Sequence, residues 1–143
     1  MLIRDLLNNK SDILLTVLLD TDMRESAELM IAQSISALVV LSKDGALAGI
    51  LTERDIARYF ASDQGDRKVP VSEAMTSELI TCTPDHEVSE IAKIMSDSHI
   101  RHLPVVVDHG VIGVVSIRDI VRYHLADLES QNRTLRELVS ALD

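Results

Sequence analysis

One short motif occurs twice in this chain, as "GILTERDIARYF" from Gly49 to Phe60 and as "GVVSIRDIVRYH" from Gly113 to His124. Both copies contain a glycine, an apolar pair, a hydroxyl residue and, after one variable position, Arg-Asp-Ile-x-Arg-Tyr. The similarity extends upstream, where nine identical pairs share one offset of 65 residues. These pairs are Thr16 and Thr81, Asp20 and Asp85, Glu25 and Glu90, Ala27 and Ala92, Met30 and Met95, Ile35 and Ile100, Leu38 and Leu103, Val40 and Val105, and Gly45 and Gly110. Self-similarity on this scale indicates that one supersecondary unit is used twice.

Each unit predicts the order strand, helix, strand, strand, helix, and therefore an α+β fold. Val88, Ile91, Ala92 and Met95 have the i, i+3, i+4, i+7 spacing of an amphipathic helix. Short β-branched runs joined by a turn with glycine predict a hairpin after that helix. The predicted strands are "ILLTV", "ALVVL" and "LAGIL" in the first unit, and "LITCT", "LPVVV" and "VIGVV" in the second. A unit of roughly 60 residues buries too little surface to be stable alone, so we expect the two units to pack sheet against sheet, with two related clefts between them.

Composition limits the possible functions of the chain. Its 143 residues are 46% hydrophobic and 2% aromatic, which predicts an aliphatic core and no aromatic platforms for stacking bases. The formal net charge of −9 disfavours binding to nucleic acid or to an anionic membrane. The apolar run "ILLTVLL" is too short to span a bilayer. Cys82 is the single cysteine, so no intrachain disulfide is possible, which fits a cytoplasmic protein.

The start of each motif helix has two interpretations. Thr52-x-x-Asp55 and Ser116-x-x-Asp119 fit a capping box, in which the hydroxyl accepts a backbone N–H bond and the acid reaches back. The same groups fit a nucleotide site, because free N–H groups at a helix start favour phosphate. An aspartate one turn into the helix can accept hydrogen bonds from both hydroxyls of a ribose.

Two arginines follow in each motif helix at i, i+4 spacing. Arg54 with Arg58, and Arg118 with Arg122, are pairs of like charge that destabilise a helix slightly unless something offsets the repulsion. Solvation explains Arg58 and Arg122. A bound anion is the alternative, and it suits Arg54 and Arg118 in the first turn.

With these features in place, the chain resembles a tandem pair of CBS domains, the cystathionine β-synthase repeat, also called a Bateman module. The resemblance covers roughly residues 2–125. It is carried by "GILTERD" and "GVVSIRD" at the end of each repeat, by "IRHLPVV", and by "TCTPDHEVSEIAKIM" at the start of the second repeat. The resemblance implies two repeats packed with pseudo-twofold symmetry through their sheets into a disc. It also implies a non-enzymatic regulatory module that often dimerises.

The resemblance further implies that the clefts bind an adenosine-containing ligand such as AMP, ADP, ATP, S-adenosylmethionine or an NAD-type dinucleotide. In the second repeat it assigns Asp119 to the ribose, and Ser116 with Arg118 to a phosphate. The other positions that it implies in this repeat are Thr81 and Thr83 near the base and ribose, Arg101 and His102 for phosphate, and Pro104 on the adenine face.

The first repeat matches the family pattern only in part. Thr52, Arg54 and Asp55 repeat the motif, Thr16 matches Thr81, and Ala37 lies at the aligned position of His102. Because Arg101 and His102 have no basic counterpart in the first repeat, we expect two unequal sites. The site of Arg101 and His102 should favour phosphates, unless the pseudo-twofold packing carries those side chains into the other cleft.

The predicted organisation is repeat 1 at 1–62, a linker at 63–70, repeat 2 at 71–126 and a helical extension at 127–143. In the extension, apolar residues and one asparagine have heptad spacing, with leucine at every d position. These residues are Leu125, Leu128, Asn132, Leu135, Val139 and Leu142. These residue types at the a and d positions favour a parallel two-stranded coiled coil and hence a homodimer. The alternative is a helix that folds back on its own module.

Two other functions stay open at this stage. One is a scaffold with empty clefts that acts through protein–protein contacts, with an unidentified effector protein as partner, in which the Thr/Ser-x-x-Asp segments are only caps. An enzyme is the less favoured rival, because the sequence has no evident nucleophile–base pair. His86, His99 and His109 have no ligand-like spacing with Cys82, so we expect no metal site and no required cofactor.

Overall fold

The computed structural model describes residues 1–10, 14–62, 68–108 and 110–142. Helices and short strands follow the predicted order, except that a helix precedes the first strand and the second repeat has no first strand. The helices and strands are α1 (Ile3–Asn8), β1 (Thr16–Leu18), α2 (Met23–Ala32), β2 (Ala37–Leu41), β3 (Leu47–Thr52), α3 (Glu53–Ala61), α4 (Val88–Ser98), β4 (His102–Val107), β5 (Gly110–Ser116) and α5 (Ile117–Leu142), with a 3₁₀ turn at Val71–Glu73. The fold is therefore α+β, with a small sheet in each repeat.

The first repeat forms a three-stranded sheet. Strand β1 pairs with β2 in parallel, and β2 pairs with β3 in the antiparallel direction. The hairpin between β2 and β3 turns at Gly45, whose φ of +87° is the left-handed conformation that glycine adopts most readily. Of the predicted first strand "ILLTV", Ile13 lies outside the described residues, and the observed strand begins at Thr16.

The second repeat forms a two-stranded antiparallel sheet of β4 and β5. The prediction of a first strand at "LITCT" is wrong, because this segment contributes a single parallel bridge between Cys82 and Val105. Cys82 N–H donates to the Pro104 carbonyl at 3.0 Å, and Val106 N–H donates to the Cys82 carbonyl at 2.8 Å. Pro84 follows two residues later and has no N–H to continue a ladder.

Helices α2 and α4 bury the apolar faces that their spacing predicts. Val88, Ile91 and Met95 of α4 lie in the core of the second repeat, and Met23 and Met30 of α2 occupy the same place in the first. Aliphatic and sulfur-containing side chains thus fill both cores, as the low aromatic content predicts.

The segment at the start of each repeat packs on the other repeat. Helix α1 lies at the start of the first repeat, before β1, yet Ile3 and Leu6 lie in the core cluster of the second, beside Ile91 and Val115. Backbone bonds fix this position, since Ile3 N–H donates to the His86 carbonyl at 2.9 Å. Helix α1 is therefore an arm that crosses to the second repeat.

A second arm crosses in the opposite direction. Residues 69–76 lie at the start of the second repeat, before the bridge at Cys82. Val69 and Val71 are nevertheless buried in the core cluster of the first repeat. Val71 N–H donates to the Thr21 carbonyl at 2.7 Å, and Thr76 and Ile50 exchange backbone bonds of 2.9 and 3.0 Å. The C-terminal part of the predicted 63–70 linker thus belongs to a packed arm, while residues 63–67 lie outside the described residues.

The crossing arms explain the glycine that opens each copy of the repeated motif. A Cβ on Gly49 would lie 2.5 Å from Met75 Sδ and 2.8 Å from the Thr76 carbonyl oxygen in the second arm. A Cβ on Gly113 would lie 2.9 Å from Leu7 Cδ2 in the first arm. The Thr76 backbone therefore requires a residue without a side chain at Gly49 in β3, whereas at Gly113 in β5 a side chain would have to displace the end of Leu7.

Helix α5 continues beyond the second repeat as one unbroken helix of 26 residues. Ile120 is buried in the core, whereas residues 124–142 are all exposed. In the described part of the chain, no helix is both long and apolar enough to cross a bilayer.

Replacing Ile3 with alanine should destabilise the protein by about 2 to 5 kcal/mol, because a fully buried isoleucine leaves a cavity in the second core. The free energy of unfolding in urea measures this change. Ile31→Ala is the matched control, since Ile31 is 79% exposed in α2 and its loss should change stability by about 0.5 kcal/mol or less. Equal effects of the two substitutions would show that α1 is not anchored in the second core.

Candidate nucleotide site

Both motif helices begin with the capping box that the sequence predicts. At α3, Thr52 N–H donates to Asp55 Oδ2 at 2.9 Å and Asp55 N–H donates to Thr52 Oγ1 at 3.3 Å. At α5, Ser116 N–H donates to Asp119 Oδ2 at 2.9 Å and Asp119 N–H donates to Ser116 Oγ at 3.2 Å. The caps hold each carboxylate at the mouth of a cleft, so capping does not exclude a second role.

Cleft 1 contains the motif of the second repeat and a wall from the first. Its volume is about 290 Å³. It is lined by Leu7, Lys10, Leu14, Leu15, Ser34, Ile35, Ser36, Ala37, Glu53, His102, Ile112, Gly113, Val114, Ser116, Arg118, Asp119 and Arg122. A molecule in this cleft would contact both repeats and the end of the α1 arm.

Lys10 forms an ion pair with the carboxylate of Asp119 in cleft 1. Its Nζ donates to Asp119 Oδ2 at 2.9 Å and to the Val114 carbonyl at 2.7 Å. Burial alone would raise the pKa of Asp119, but the bonds from Ser116 and the ion pair with Lys10 outweigh it, and the pKa lies below its ordinary value. Asp119 is therefore held ionised as a hydrogen-bond acceptor.

Cleft 2 contains the motif of the first repeat and a wall from the second. Its volume is about 760 Å³. It is lined by Ile50, Thr52, Glu53, Arg54, Asp55, Arg58, Thr76, Glu78, Leu79, Ile80, Ser98, His99, Ile100, Arg101 and His102. The two clefts are thus related by the exchange of walls between the repeats.

In cleft 2 the residue that contacts the carboxylate from the other wall is Thr76, which has a hydroxyl where Lys10 of cleft 1 has an amine. Thr76 Oγ1 donates to Asp55 Oδ1 at 3.0 Å, and Thr52 Oγ1 donates to Asp55 Oδ2 at 3.0 Å. Asp55 is only 4% exposed, and the Arg58 guanidinium lies 3.9 Å from its Oδ1. Asp55 is therefore surrounded by neutral donors, with one arginine at the cleft mouth.

His102 lies between the clefts and lines both of them. Its Nε2 is 2.9 Å from Ser36 Oγ of the first repeat. Burial and the positive charge of Lys10 lower the pKa of His102, and this outweighs the opposite effects of Asp119 and Glu53. The imidazole thus links the two repeats in its neutral form.

The clefts contain nine of the thirteen residues that the sequence singled out. Cleft 1 is lined by Ala37, Ser116, Arg118 and Asp119, cleft 2 by Thr52, Arg54, Asp55 and Arg101, and both by His102. Four other residues line neither cleft. Thr16 lies exposed on the edge strand β1, Thr81 and Thr83 lie exposed in the loop before α4, and Pro104 is buried in β4. A nucleotide contact at these four positions stays a prediction without support from the cleft geometry.

Arg101 lies in the other cleft from the one first assigned to it. The sequence assignment placed Arg101 and His102 with Ser116 and Asp119, whereas the structure places Arg101 with Thr52 and Asp55. The reason is the pseudo-twofold packing, in which the start of β4 faces the motif helix of the first repeat. The positive charge of Arg101 therefore lies in cleft 2 and not in the cleft of Ser116 and Asp119.

Sequence reasoning missed the two residues that reach the carboxylates from the arms. Lys10 lies six residues before Thr16, and Thr76 lies five residues before Thr81. This similar spacing was the available signal, because it places both residues just ahead of the equivalent segments that begin at Thr16 and Thr81. It does not show that each residue contacts the opposite repeat.

Comparison with known proteins identifies this architecture. The CBS domain family matches residues 3–62 and 71–126. The chain belongs to the CBS domain family. A curated relative, the mitochondrial CBS domain-containing protein CBSX3 of Arabidopsis thaliana, is 40% identical over 108 residues, which are 72% of this chain and 52% of the plant protein. The chain thus matches about half the length of that relative.

Solved structures of CBS domain pairs have the same fold. The CBS domain pair of protein MJ0100, in complex with 5′-methylthioadenosine and S-adenosyl-L-methionine, is 31% identical with a TM-score of 0.79, covering 89% of this chain and 98% of that one. The CBS domain protein PAE2072 of Pyrobaculum aerophilum, complexed with AMP, is 26% identical with a TM-score of 0.73, covering 83% and 89%. CBS pairs similar to this one therefore bind adenosine compounds.

Lowering the pH from about 7.5 to about 5.5 should destabilise the folded protein partly through His102. Because the folded state lowers the pKa of His102 below about 6.5, the unfolded chain takes up the proton first. The contribution of the neutral imidazole is full above the unfolded pKa and is lost as the pH falls toward the folded pKa. Urea unfolding at the two pH values should therefore show a smaller difference for His102→Gln than for the wild type.

His124→Gln is the control for this measurement, because His124 is exposed on α5 and its loss should leave the pH dependence as it is. Asp119 does not interfere, since its lowered pKa places its own loss of stability at more acidic pH. An unchanged pH difference in His102→Gln would contradict the role of the buried imidazole.

Proposed function

We propose that this chain is a regulatory module that binds an adenosine-containing nucleotide in clefts 1 and 2 and catalyses no reaction of its own. The observation that carries the proposal is the composition of each cleft, in which the aspartate-bearing helix start of one repeat faces a wall of the other. A ligand that prefers one relative position of the repeats would shift the population toward it. The ligand state is then readable by an effector protein or by an attached domain.

The adenosine class is supported by the bound relatives and by the chemistry of the clefts. Asp119 and Asp55 offer carboxylate oxygens to ribose hydroxyls. The hydroxyls of Ser116 and Thr52, with Arg118 and Arg54 beside them, suit a phosphate at a helix start. AMP, ADP, ATP, S-adenosylmethionine and an NAD-type dinucleotide are the candidate ligands, and no cofactor is required.

The capping bonds leave both carboxylates able to accept a ribose. Within the described residues, the Asp119 carboxylate accepts hydrogen bonds at Oδ2, from Lys10 and from the Ser116 N–H, so its Oδ1 is open to a new donor. In cleft 2, Oδ1 of Asp55 accepts from the Thr76 hydroxyl. A ribose hydroxyl can replace that hydroxyl like for like.

A scaffold with empty clefts is the second candidate. It is favoured by the hydrogen bonding of the buried polar groups, since the described residues include no buried side-chain N or O atom without a partner. Under this alternative the aspartates act as caps alone, and the module acts through protein–protein contacts. A ligand titration separates the two candidates.

Calorimetric titration with AMP, ATP, S-adenosylmethionine and NADH should detect binding of at least one ligand. Asp119→Asn should remove binding in cleft 1 and Asp55→Asn in cleft 2, because an amide offers one acceptor oxygen where the carboxylate offers two. A ligand at a hundred times its Kd should add about 2.7 kcal/mol to the free energy of unfolding.

Asp20→Asn is the matched control, because Asp20 is exposed in the turn after β1 and lines neither cleft. A 2′-deoxy form of the bound nucleotide should bind more weakly if a carboxylate holds the ribose diol. If no adenosine ligand binds or stabilises the wild type, the scaffold is the better description.

The proposed assembly is a homodimer joined through α5. The heptad residues of the extension have no contact that would bury them, since Leu125, Leu128, Leu135, Val139 and Leu142 are 55% to 87% exposed. They form one stripe along roughly 26 Å of helix. Asn132 at an a position, with leucine at each d position, suits a second copy in parallel register. Neither nucleic acid nor a membrane is part of the proposal, and the proposed location is cytoplasmic.

Ending the chain after Ala126 should convert the dimer to a monomer in sedimentation experiments, with little change in the stability of each repeat. Leu128→Glu and Leu135→Glu should act in the same direction, because they place charge in the apolar seam. Ser130→Glu is the control at an outward f position. A dimer that survives the truncation would assign dimerisation to another surface.

A further inference from the structure

The two clefts differ most in the side chain that crosses to the carboxylate. In cleft 1 this is the ammonium of Lys10 at 2.9 Å from Asp119, and in cleft 2 it is the hydroxyl of Thr76 at 3.0 Å from Asp55. Both residues belong to exchanged arms and approach the motif of the opposite repeat. The clefts therefore have equivalent geometry but different charge at the ribose acceptor.

Lys10 is placed so that a ligand must change its contacts. The side chains of Lys10 and Asp119 are 21% and 13% exposed, so their ion pair is largely shielded from water. Oδ1 of Asp119 can accept one hydroxyl of a ribose, and the second hydroxyl of the diol then competes with the Lys10 ammonium for Oδ2. Separating such a pair without a replacement partner leaves a charge poorly solvated.

A phosphate provides the replacement partner. The lysine side chain has a flexible four-carbon stem that allows its ammonium to move, and Arg118 and Arg122 line the same cleft. A phosphate on the ligand would form ion pairs with these cations when Asp119 accepts hydrogen bonds from the ribose. Adenosine supplies no such tail, and the sulfonium of S-adenosylmethionine would add a further positive charge.

We propose that Lys10 makes cleft 1 selective for adenosine ligands that carry a phosphate, by exchanging Asp119 for the phosphate when the ribose binds. This inference rests on the function proposed above. Cleft 2 has no equivalent exchange at its arm, because the Thr76 hydroxyl is neutral and the Arg58 guanidinium, 3.9 Å from Asp55 Oδ1, is 73% exposed to solvent. Lys10 is thus a specificity-determining residue for one of the two clefts.

The test compares the affinities of AMP and adenosine by calorimetry. In wild-type protein, AMP should bind cleft 1 more tightly than adenosine, and Lys10→Met should reduce the ratio of the two Kd values about tenfold, since one charge-assisted contact to phosphate is lost. Lys10→Arg retains a cation and should retain the ratio within about threefold. Titrations in an Asp55→Asn background isolate cleft 1, and two-site fits in the native background give a second reading.

Lys93→Met is the matched control, because it removes the same charge from an exposed position on α4 that lines neither cleft. Its ratio should equal that of the wild type, and melting curves should show that each variant is folded. Suppose that the wild type binds both ligands and that the ratio of the adenosine and AMP Kd values is the same in Lys10→Met as in Lys93→Met. The role proposed for Lys10 is then wrong, while the proposed function stands. If the wild type binds S-adenosylmethionine but neither AMP nor adenosine, the role of Lys10 is wrong as well, whereas binding of no adenosine ligand at all would overturn the proposed function itself.

Discussion

The exchange of the two arms is the constraint on which the rest of this structure depends. Helix α1 completes the core of the second repeat, and residues 69–76 complete the core of the first. Neither repeat therefore closes its own core with contiguous sequence. The same exchange brings Lys10 and Thr76 to the carboxylates of opposite repeats, so the packing that stabilises the fold also builds the clefts.

Each motif aspartate caps its own helix and also accepts a hydrogen bond from a residue that crosses from the other repeat. Asp119 uses Oδ2 for the helix cap and for Lys10, while Asp55 uses Oδ2 for the cap and Oδ1 for Thr76. A cap fixes the side chain in one rotamer, which reduces the entropy that a ligand would otherwise have to remove. Capping and ligand binding are therefore compatible, and the first helps the second.

Repetition explains which parts of the fold were predictable from the sequence. The helices, the hairpins and the capping boxes have local patterns that occur twice, and each copy supports the other. The strand at "LITCT" was predicted by analogy with the first repeat, but Pro84 limits it to one bridge at Cys82. In this case a local backbone restriction overrides the repeat.

The site was less predictable because its contacts join distant parts of the chain. Lys10 and Asp119 are 109 residues apart in sequence. Arg101 belongs to the second repeat but lines the cleft that contains the motif of the first. A linear pattern shows which residue types are present in each repeat. It does not show which wall they face once the two repeats are packed, so the cleft of Arg101 became clear only from the structure.

The difference between Lys10 and Thr76 has a consequence for how such a module can diversify. In an assembly of two identical single-repeat chains, one gene would encode both arms, and a lysine beside one carboxylate would imply a lysine beside the other. A single polypeptide that carries both copies is free of this obligation, because each arm can mutate alone. Tandem duplication thus allows one small protein to place chemically different side chains beside its two carboxylates within the same architecture.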